Sequence, residues 1–361
     1  VLLFAAVEAF AFLALIRWLV ISLIDESFMK NRVVVLGAGE RALKIASRMR
    51  RRSDRRAFVL MGFIQQQGTE DHVSEYGAKV IPYPRTTLLE YCEAQDIDEI
   101  VVAADDRRAD STNSPLPFDE LMECRLSGID VCEVQNFVER EAGKLDIDLL
   151  QRSWIVYSDG FITSWYGAFL KRSFDIFAAL TLLVLLSPLF LLAGLMVAAT
   201  DGFRGPIFYR QERVGTDGKV FTLYKFRTMR VNAEDSGAVW ADHNDPRTTR
   251  VGRFLRRARL DELPQLFNVL AGRMSMVGPR PERPVFVDYL QDKLPFYEQR
   301  HRVKPGITGW AQLCYPYGAS VNDSKEKLQY DLYYLKNHSI LLDLIILLQT
   351  VEVVLIGEGA R

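Results

Sequence analysis

The sequence predicts an α/β protein in two parts, a Rossmann-like parallel-sheet domain followed by a mainly α, membrane-embedded domain built on a re-entrant helix hairpin. Three observations carry that expectation. A short apolar strand runs into a glycine turn between Arg32 and Ala42, and strand and helix patterns alternate after it. An uncharged run of 24 residues, Ile176 to Ala199, is broken at its centre by Ser187-Pro188. A dense run of arginines then ends in the acidic pair Asp261-Glu262.

At 361 residues the chain has room for two cores, and a net charge of −1 excludes global steering toward nucleic acid, so no nucleic-acid partner is expected. Four scattered cysteines without a C-x-x-C, and four histidines without ligand spacing, argue against zinc sites and disulfide frameworks. Reduced thiols in the cytosol fit. The apolar stretch from Val1 to Ile24, interrupted by Glu8 and Arg17, lacks the basic start and small-residue cleavage site of a signal peptide. Residues 1–26 are therefore read as the remnant of an N-terminal transmembrane region whose upstream helices precede Val1.

Residues 30–142 form the Rossmann-like domain. Arg32 to Leu36 is a buried strand, and Gly37-Ala38-Gly39-Glu40-Arg41-Ala42 has the G-x-G-x-x-A spacing of a dinucleotide-type turn opening a helix. Further strands are predicted at Phe58 to Ile64, Lys79 to Ile81, Glu99 to Ala103 and Asp130 to Glu133, with helices at Thr87 to Ala94 and Phe118 to Ser127. Such alternation means a doubly wound parallel sheet. No cofactor-binding residues are assigned, because the second strand runs into Gln65-Gln66-Gln67 where an acid should hold the ribose hydroxyls. Residues 143–170 read as a linker whose Trp165 and Tyr166 suit a headgroup region.

The re-entrant membrane helix is expected over residues 174–200. Pro188 removes a backbone donor and kinks the helix, while Ser187 can reach back to a freed carbonyl. Lys171-Arg172 on one flank and Arg204 and Arg210 on the other are cationic anchors, as expected if both ends stay on the cytoplasmic face. Near the end, Ile340 to Ile356 is apolar except for Asp343, Gln349, Thr350 and Glu352, and reads as a helix lying in the interface or closing the core.

In the last domain, 171–361, six arginines fall between Arg247 and Arg259 with no acid among them. Arg253, Arg256 and Arg257 recur at helical spacing and form a candidate phosphate-binding stripe, with Phe254 and Leu255 free to pack inward. Carboxylates beside such a field are candidates for attack on phosphorus, although Asp-Glu ahead of Pro264 is also an ordinary helix start. Lys225 and Arg227 lie on a strand pair or extended segment formed by Gly205 to Gly215 and Phe221 to Met229. Pro279 and Pro281 restrict the backbone around Arg280 and pre-organise its guanidinium. Lys304-Pro305-Gly306-Ile307-Thr308-Gly309-Trp310 is a second rigid turn, with a structural role as the default.

Taken together, and in this order after an apolar hairpin with a central Ser-Pro, these motifs resemble the bacterial sugar transferases, monotopic polyprenyl-phosphate hexose-1-phosphate transferases. The resemblance covers Lys171 to Arg361, and the preceding segments look like those of the family's long members. Tyr315 to Ser320, Glu326 to Ser339 and the closing Gly359-Ala360-Arg361 are similar to the branch found with exosortase-type exopolysaccharide loci. The resemblance implies a catalytic second domain at the cytoplasmic face of the bacterial inner membrane. It would move a hexose-1-phosphate from a UDP-sugar to undecaprenyl phosphate with release of UMP, the first membrane step of exopolysaccharide or O-antigen assembly. It maps the family's catalytic dyad onto Asp261 and Glu262 and its proline-flanked arginine onto Arg280. Asp261 would be the nucleophile; Glu262 would orient it, help hold Mg2+ or handle a proton. Lys225, Arg227, Arg253, Arg256, Arg257 and Arg280 would bind the phosphates. One departure is Arg273, where the family usually has an acid before Met-Ser.

A membrane-anchored NAD-dependent nucleotide-sugar dehydratase or dehydrogenase would also combine membrane helices with a G-x-G-x-x-A turn, but Tyr289 and Lys293, the Tyr-x-x-x-Lys spacing it needs, lie far beyond the glycines. A non-enzymatic membrane scaffold leaves the arginine run and the dyad without a reason. No motif reads the hexose, and a homo-oligomer stays open.

Overall fold

A computed structural model of the protein describes residues 30–48, 58–66, 70–105, 116–150, 164–231, 247–315, 318 and 320–356. They form two compact units that meet in sequence between Gly143 and Lys144. Residues 1–26 and the 151–163 part of the expected linker lie outside the described residues. At the start of that segment, Leu145 and Ile147 are buried against Val287, Leu328 and Leu332 of the second unit. Two large apolar side chains gain more from a core than from solvent.

In the first unit, β1 (Asn31–Leu36), β2 (Phe58–Gln65), β3 (Val80–Pro82), β4 (Glu99–Val102) and β5 (Asp130–Glu133) form one parallel sheet in the order β3-β2-β1-β4-β5. Helices α1 (Glu40–Arg48), α2 (Leu88–Ala94), α3 (Phe118–Leu126) and α4 (Val134–Ala142) accompany it. The strands read as continuous apolar runs because both faces are covered. Val34, Leu36 and Ile100 pack against Leu88, Cys92, Leu121 and Cys124 of α2 and α3. Phe58 meets Phe137 of α4 edge-on, with centroids 5.0 Å apart. Thr87 starts α2 by accepting from Glu90 N at 3.2 Å.

The glycine turn behaves differently from a phosphate cradle. The Asp105 carboxylate accepts from the backbone N–H of Glu40 at 3.0 Å and of Arg41 at 2.9 Å, so it occupies the positive end of α1. A Cβ on Gly39 would collide with that carboxylate. The second glycine therefore admits the protein's own acid to the helix end where a dinucleotide turn would admit a pyrophosphate.

The second unit begins with α5 (Trp165–Leu185) and α6 (Ser187–Thr200), bent by 66° at their junction. Ser164 caps α5 by accepting from Gly167 N at 3.1 Å. Pro188 sits in the first turn of α6, and Ser187 Oγ donates back to Val184 O at 2.9 Å, the reach-back the Ser-Pro pair leads one to expect. Among the described residues no single helix is long and apolar enough to cross a membrane; the bent pair passes that test only when taken together. Its outer surface exposes Trp165, Phe169, Phe177, Val184 and Leu191.

Next come the hairpin β6 (Phe208–Val214) and β7 (Val220–Phe226), then α7 (Arg250–Arg257), α8 (Gln265–Leu270), β8 (Ser275–Val277) and α9 (Pro284–Lys293). Finally β9 (Gly306–Thr308) pairs in parallel with β8 and precedes α10 (Trp310–Cys314), α11 (Val321–Asn337) and α12 (Ile340–Ile356). Buried polar bonds tie the bent pair to this body. Arg172 donates to Val269 O at 2.7 Å and to Leu270 O at 2.8 Å, satisfying carbonyls at the end of α8. Lys171 Nζ bridges Asp175 of α5 at 3.0 Å and Asp343 of α12 at 2.7 Å. Asp343 and Thr350 of α12 thus face the body of the unit, whereas Gln349, Glu352, Leu341, Leu348 and Val351 are exposed.

Replacing Asp105 by Ala removes a charged cap from α1 and should lower the first unit's stability by about 1 kcal/mol. Chemical denaturation of the full chain followed by far-UV circular dichroism measures this; an unchanged first transition would show that the carboxylate does not hold the turn.

Candidate active site

The dyad is delivered by a short chain reversal. Thr249 caps α7 by accepting from Gly252 N at 2.9 Å, and Leu255 of that helix is fully buried in a cluster with Val197 and Phe226. Arg259 then adopts a left-handed backbone, φ 56° and ψ 15°, a costly conformation for a side-chain-bearing residue that turns the chain into the 3-10 turn Leu260–Glu262. Pro264, whose missing N–H costs nothing at a helix start, leads into α8. Asp261 and Glu262 consequently face the interior, 7% and 9% exposed.

Glu262 Oε1 accepts from Lys225 Nζ at 2.7 Å and from Arg280 Nη2 at 3.2 Å. Lys225 is carried by β7, which α8 grips through Asn268. Its side chain accepts from Tyr224 N at 3.1 Å and donates to Thr222 O at 2.7 Å, completing the edge of the strand. Arg280 also donates to Gln312 Oε1 of α10 at 3.2 Å. Asp261, by contrast, makes no hydrogen bond or ion pair with a described residue. Burial pushes Glu262 up, but Lys225 and Arg280 outweigh it and hold its carboxyl well below the usual range. Burial, with Glu262 adding to it, raises Asp261, opposed by Lys225, Arg256 and Arg280. One carboxylate is locked in an ion cluster; its neighbour is unpaired and more basic, hence more nucleophilic.

The remaining candidates divide. Arg256 is half-buried, donates from Nε to Thr228 Oγ1 at 2.9 Å, and contributes to the field at Asp261. Arg227 is turned away to an ion pair with Asp201, beyond the end of α6. Arg253 and Arg257 are exposed without a hydrogen bond or ion pair to a described residue, and the Arg273 side chain is the same. Phe254 is a correction: it is exposed, because the inward face of α7 runs through Val251 and Leu255, and Phe254 lies about 100° around the helix from Leu255. Tyr289 is exposed on α9 in the second unit. Ser275 and Val277 pair with Gly306 and Thr308, so the rigid K-P-G-I-T-G turn buttresses the segment bearing Arg280. A Cβ on Gly306 would collide with the backbone of Gly278. Asn268 and Gln312 have no periodic or motif signal of their own; each is an amide in a short, mostly apolar helix.

The profile described as bacterial sugar transferase matches residues 166–357, more than half the chain. The chain belongs to that family. Among its relatives, the UDP-N-acetylgalactosamine-undecaprenyl-phosphate N-acetylgalactosaminephosphotransferase of Aeromonas hydrophila is 42% identical over 241 residues, 67% of this chain and 56% of that protein. The UDP-glucose:undecaprenyl-phosphate glucose-1-phosphate transferase of Escherichia coli (strain K12) is 42% identical over 184 residues, 50% of this chain and 39% of that protein. The undecaprenyl-phosphate glucose phosphotransferase of Komagataeibacter xylinus is 32% identical over 344 residues, 90% of this chain and 59% of that protein, so the likeness extends through both units. This sugar transferase spans about half the length of those relatives.

An acid whose folded pKa is raised stabilises the fold only below its unfolded value and becomes a penalty as pH climbs through the folded one. Asp261→Asn in this sugar transferase should therefore raise the thermal midpoint at neutral pH by a few degrees, the scale on which ~1 kcal/mol acts in a unit of this size. The gain should shrink toward about pH 4. Scanning calorimetry at the two pH values checks it, and a variant less stable than the parent at neutral pH contradicts a raised Asp261.

Proposed function

We propose that the second unit transfers a sugar-1-phosphate from a UDP-sugar to undecaprenyl phosphate and releases UMP, at the cytoplasmic face of the inner membrane. The observation that carries this reading is an unpaired, buried Asp261 beside a Glu262 held between Lys225 and Arg280. The names of the relatives, which give undecaprenyl phosphate as acceptor and UDP-glucose or UDP-N-acetylgalactosamine as donor, support it. The bent, apolar α5–α6 pair is read as a re-entrant membrane anchor. Its exposed apolar surface, and that of α12, support an embedded face that brings the dyad to headgroup depth.

In the proposed reaction an Asp261 carboxylate oxygen attacks the sugar-bearing phosphorus. An acyl–phosphate bond forms, the bond to the bridging oxygen breaks, and UMP leaves with that electron pair. An oxygen of the lipid phosphate then attacks the same phosphorus, and the Asp261 carboxylate departs as the diphosphate closes. Glu262 keeps Lys225 and Arg280 aimed at the phosphates, and Arg256 adds positive field; Arg227, Arg253 and Arg257 are less directly placed. No group of three His, Cys, Asp or Glu side chains among the described residues forms a closed metal cage. Magnesium, however, commonly takes one or two carboxylates and fills its shell from substrate phosphates and water, which Asp261 and Glu262 fit. Bound there, Mg2+ would neutralise charge on the diphosphate and the leaving UMP.

Purified enzyme incubated with a panel of UDP-sugars and magnesium, without lipid, should carry a phosphohexose on the peptide containing Asp261, seen by mass spectrometry. Asp261→Asn should release no UMP with lipid present. Absence of both the adduct and lipid-independent exchange of labelled UMP into the donor would rule out the two-step route. For the anchor, single cysteines near Lys171 and Arg204 should be labelled from the same side of sealed vesicles, whereas opposite sides would mean a spanning helix.

A further inference from the structure

The segment Val277 to Pro281 presents Arg280 to Glu262, and its backbone carbonyls are held by side chains and strands from elsewhere in the second unit. Val277 O accepts from Tyr334 Oη of α11 at 3.0 Å. Pro279 O accepts from Gly306 N at 3.0 Å. Pro281 O accepts from Arg213 Nη1 of β6 at 3.1 Å. Arg280 O itself accepts from Arg300 Nη2 at 3.0 Å.

Arg300 is an unusual residue to find there. It is 6% exposed, and the same Nη2 pairs with Asp331 Oδ2 of α11 at 2.7 Å, itself only 2% exposed. Nη1 donates to Tyr297 Oη at 2.8 Å, and Nε is buried without a hydrogen-bond partner. A buried ion pair with an orphaned N–H is a poor way to stabilise a core, since apolar residues of similar volume do as well or better. What it supplies is direction. Pro281 limits Arg280 to extended backbone, and the N–H of Arg300 then fixes the orientation of the Arg280 peptide plane. The guanidinium of Arg280 leaves that fixed backbone to reach Glu262 and Gln312, both at 3.2 Å.

We propose that Arg300, clamped by Asp331, is a positioning residue that sets the Arg280 guanidinium against Glu262 by holding the Arg280 carbonyl. It acts through Arg280 and touches neither substrate nor dyad. The proposal rests on the reading of Arg280 as a phosphate-binding group, and the two can fail separately.

Two variants of the full chain test it. Arg300→Met with Asp331→Leu replaces the ion pair by an apolar pair and should keep the fold, as judged by circular dichroism and the thermal midpoint. Arg300→Lys keeps a charge for Asp331 but lacks the fork that serves Tyr297 and the Arg280 carbonyl together. In a structure of either variant the Arg280 carbonyl should turn and the Arg280–Glu262 bond should be lost. UMP release should fall ~10- to 100-fold in kcat with little change in donor KM, the scale of a misplacement of about 1 Å. The same changes made in an Arg280→Lys background should cost almost nothing more. A folded variant with Arg280 still bonded to Glu262, or losses that simply multiply with Arg280→Lys, would overturn the proposal. A displaced Arg280 with undiminished UMP release would leave the positioning intact and sink the phosphate-binding reading instead.

Discussion

Glu262 Oε1 accepts from Lys225 and Arg280 inside the protein, and three segments of the second unit are arranged around that shared anion. Burying a carboxylate is tolerable only while its partners stay in place; removing one partner of a buried pair costs roughly 3–5 kcal/mol. Each participant is accordingly fixed by something other than the ion pair. The left-handed Arg259 sets Glu262, the Asn268 amide ties β7 and its Lys225 to α8, and two prolines with a set of held carbonyls fix Arg280. The cluster can then leave Asp261 unpaired without risk that a cation swings across to neutralise it.

Carboxylates next to backbone and cations serve opposite ends in the two units. At the first unit's glycine turn, Asp105 receives two N–H groups and closes the end of α1. In the dyad, two acids adjacent in sequence diverge because their surroundings differ: Glu262 is satisfied by cations, while Asp261 is buried beside another negative charge. Residue type did not determine these roles; the number of donors aimed at each oxygen did.

Local pattern made much of this readable beforehand. The five strands of the first unit, the Ser187-Pro188 break, the dyad and the proline-flanked Arg280 are all encoded in a handful of consecutive residues, where periodicity and proline chemistry act. Arg227 shows where that stops. It stands two residues after Lys225, so strand alternation puts both on one face. But β7 ends at Phe226, and the partner that captures Arg227 is Asp201, outside any motif. Phe254 was misplaced because an eight-residue helix packs on too narrow a face for spacing to define. Asn268, Gln312 and Arg300 act on atoms 44, 32 and 20 residues away, and nothing in their immediate neighbours announces such partners.

The parallel pairing of β8 with β9 also bears on when the site comes into being. A parallel pair cannot close through a tight turn, so the chain between them must be looped out at an entropic cost before a single ladder bond forms. Lys225 and Glu262 are 37 residues apart, and Ser275 meets Asp175 across 100. With so many of its contacts non-local, the dyad's environment exists only once segments far apart in sequence have come together. A nascent or partly unfolded second unit would hold both acids in water, ordinary in pKa and unable to discriminate Asp261 from Glu262. The proposed chemistry at this centre is thereby reserved for molecules whose distant segments have already found one another.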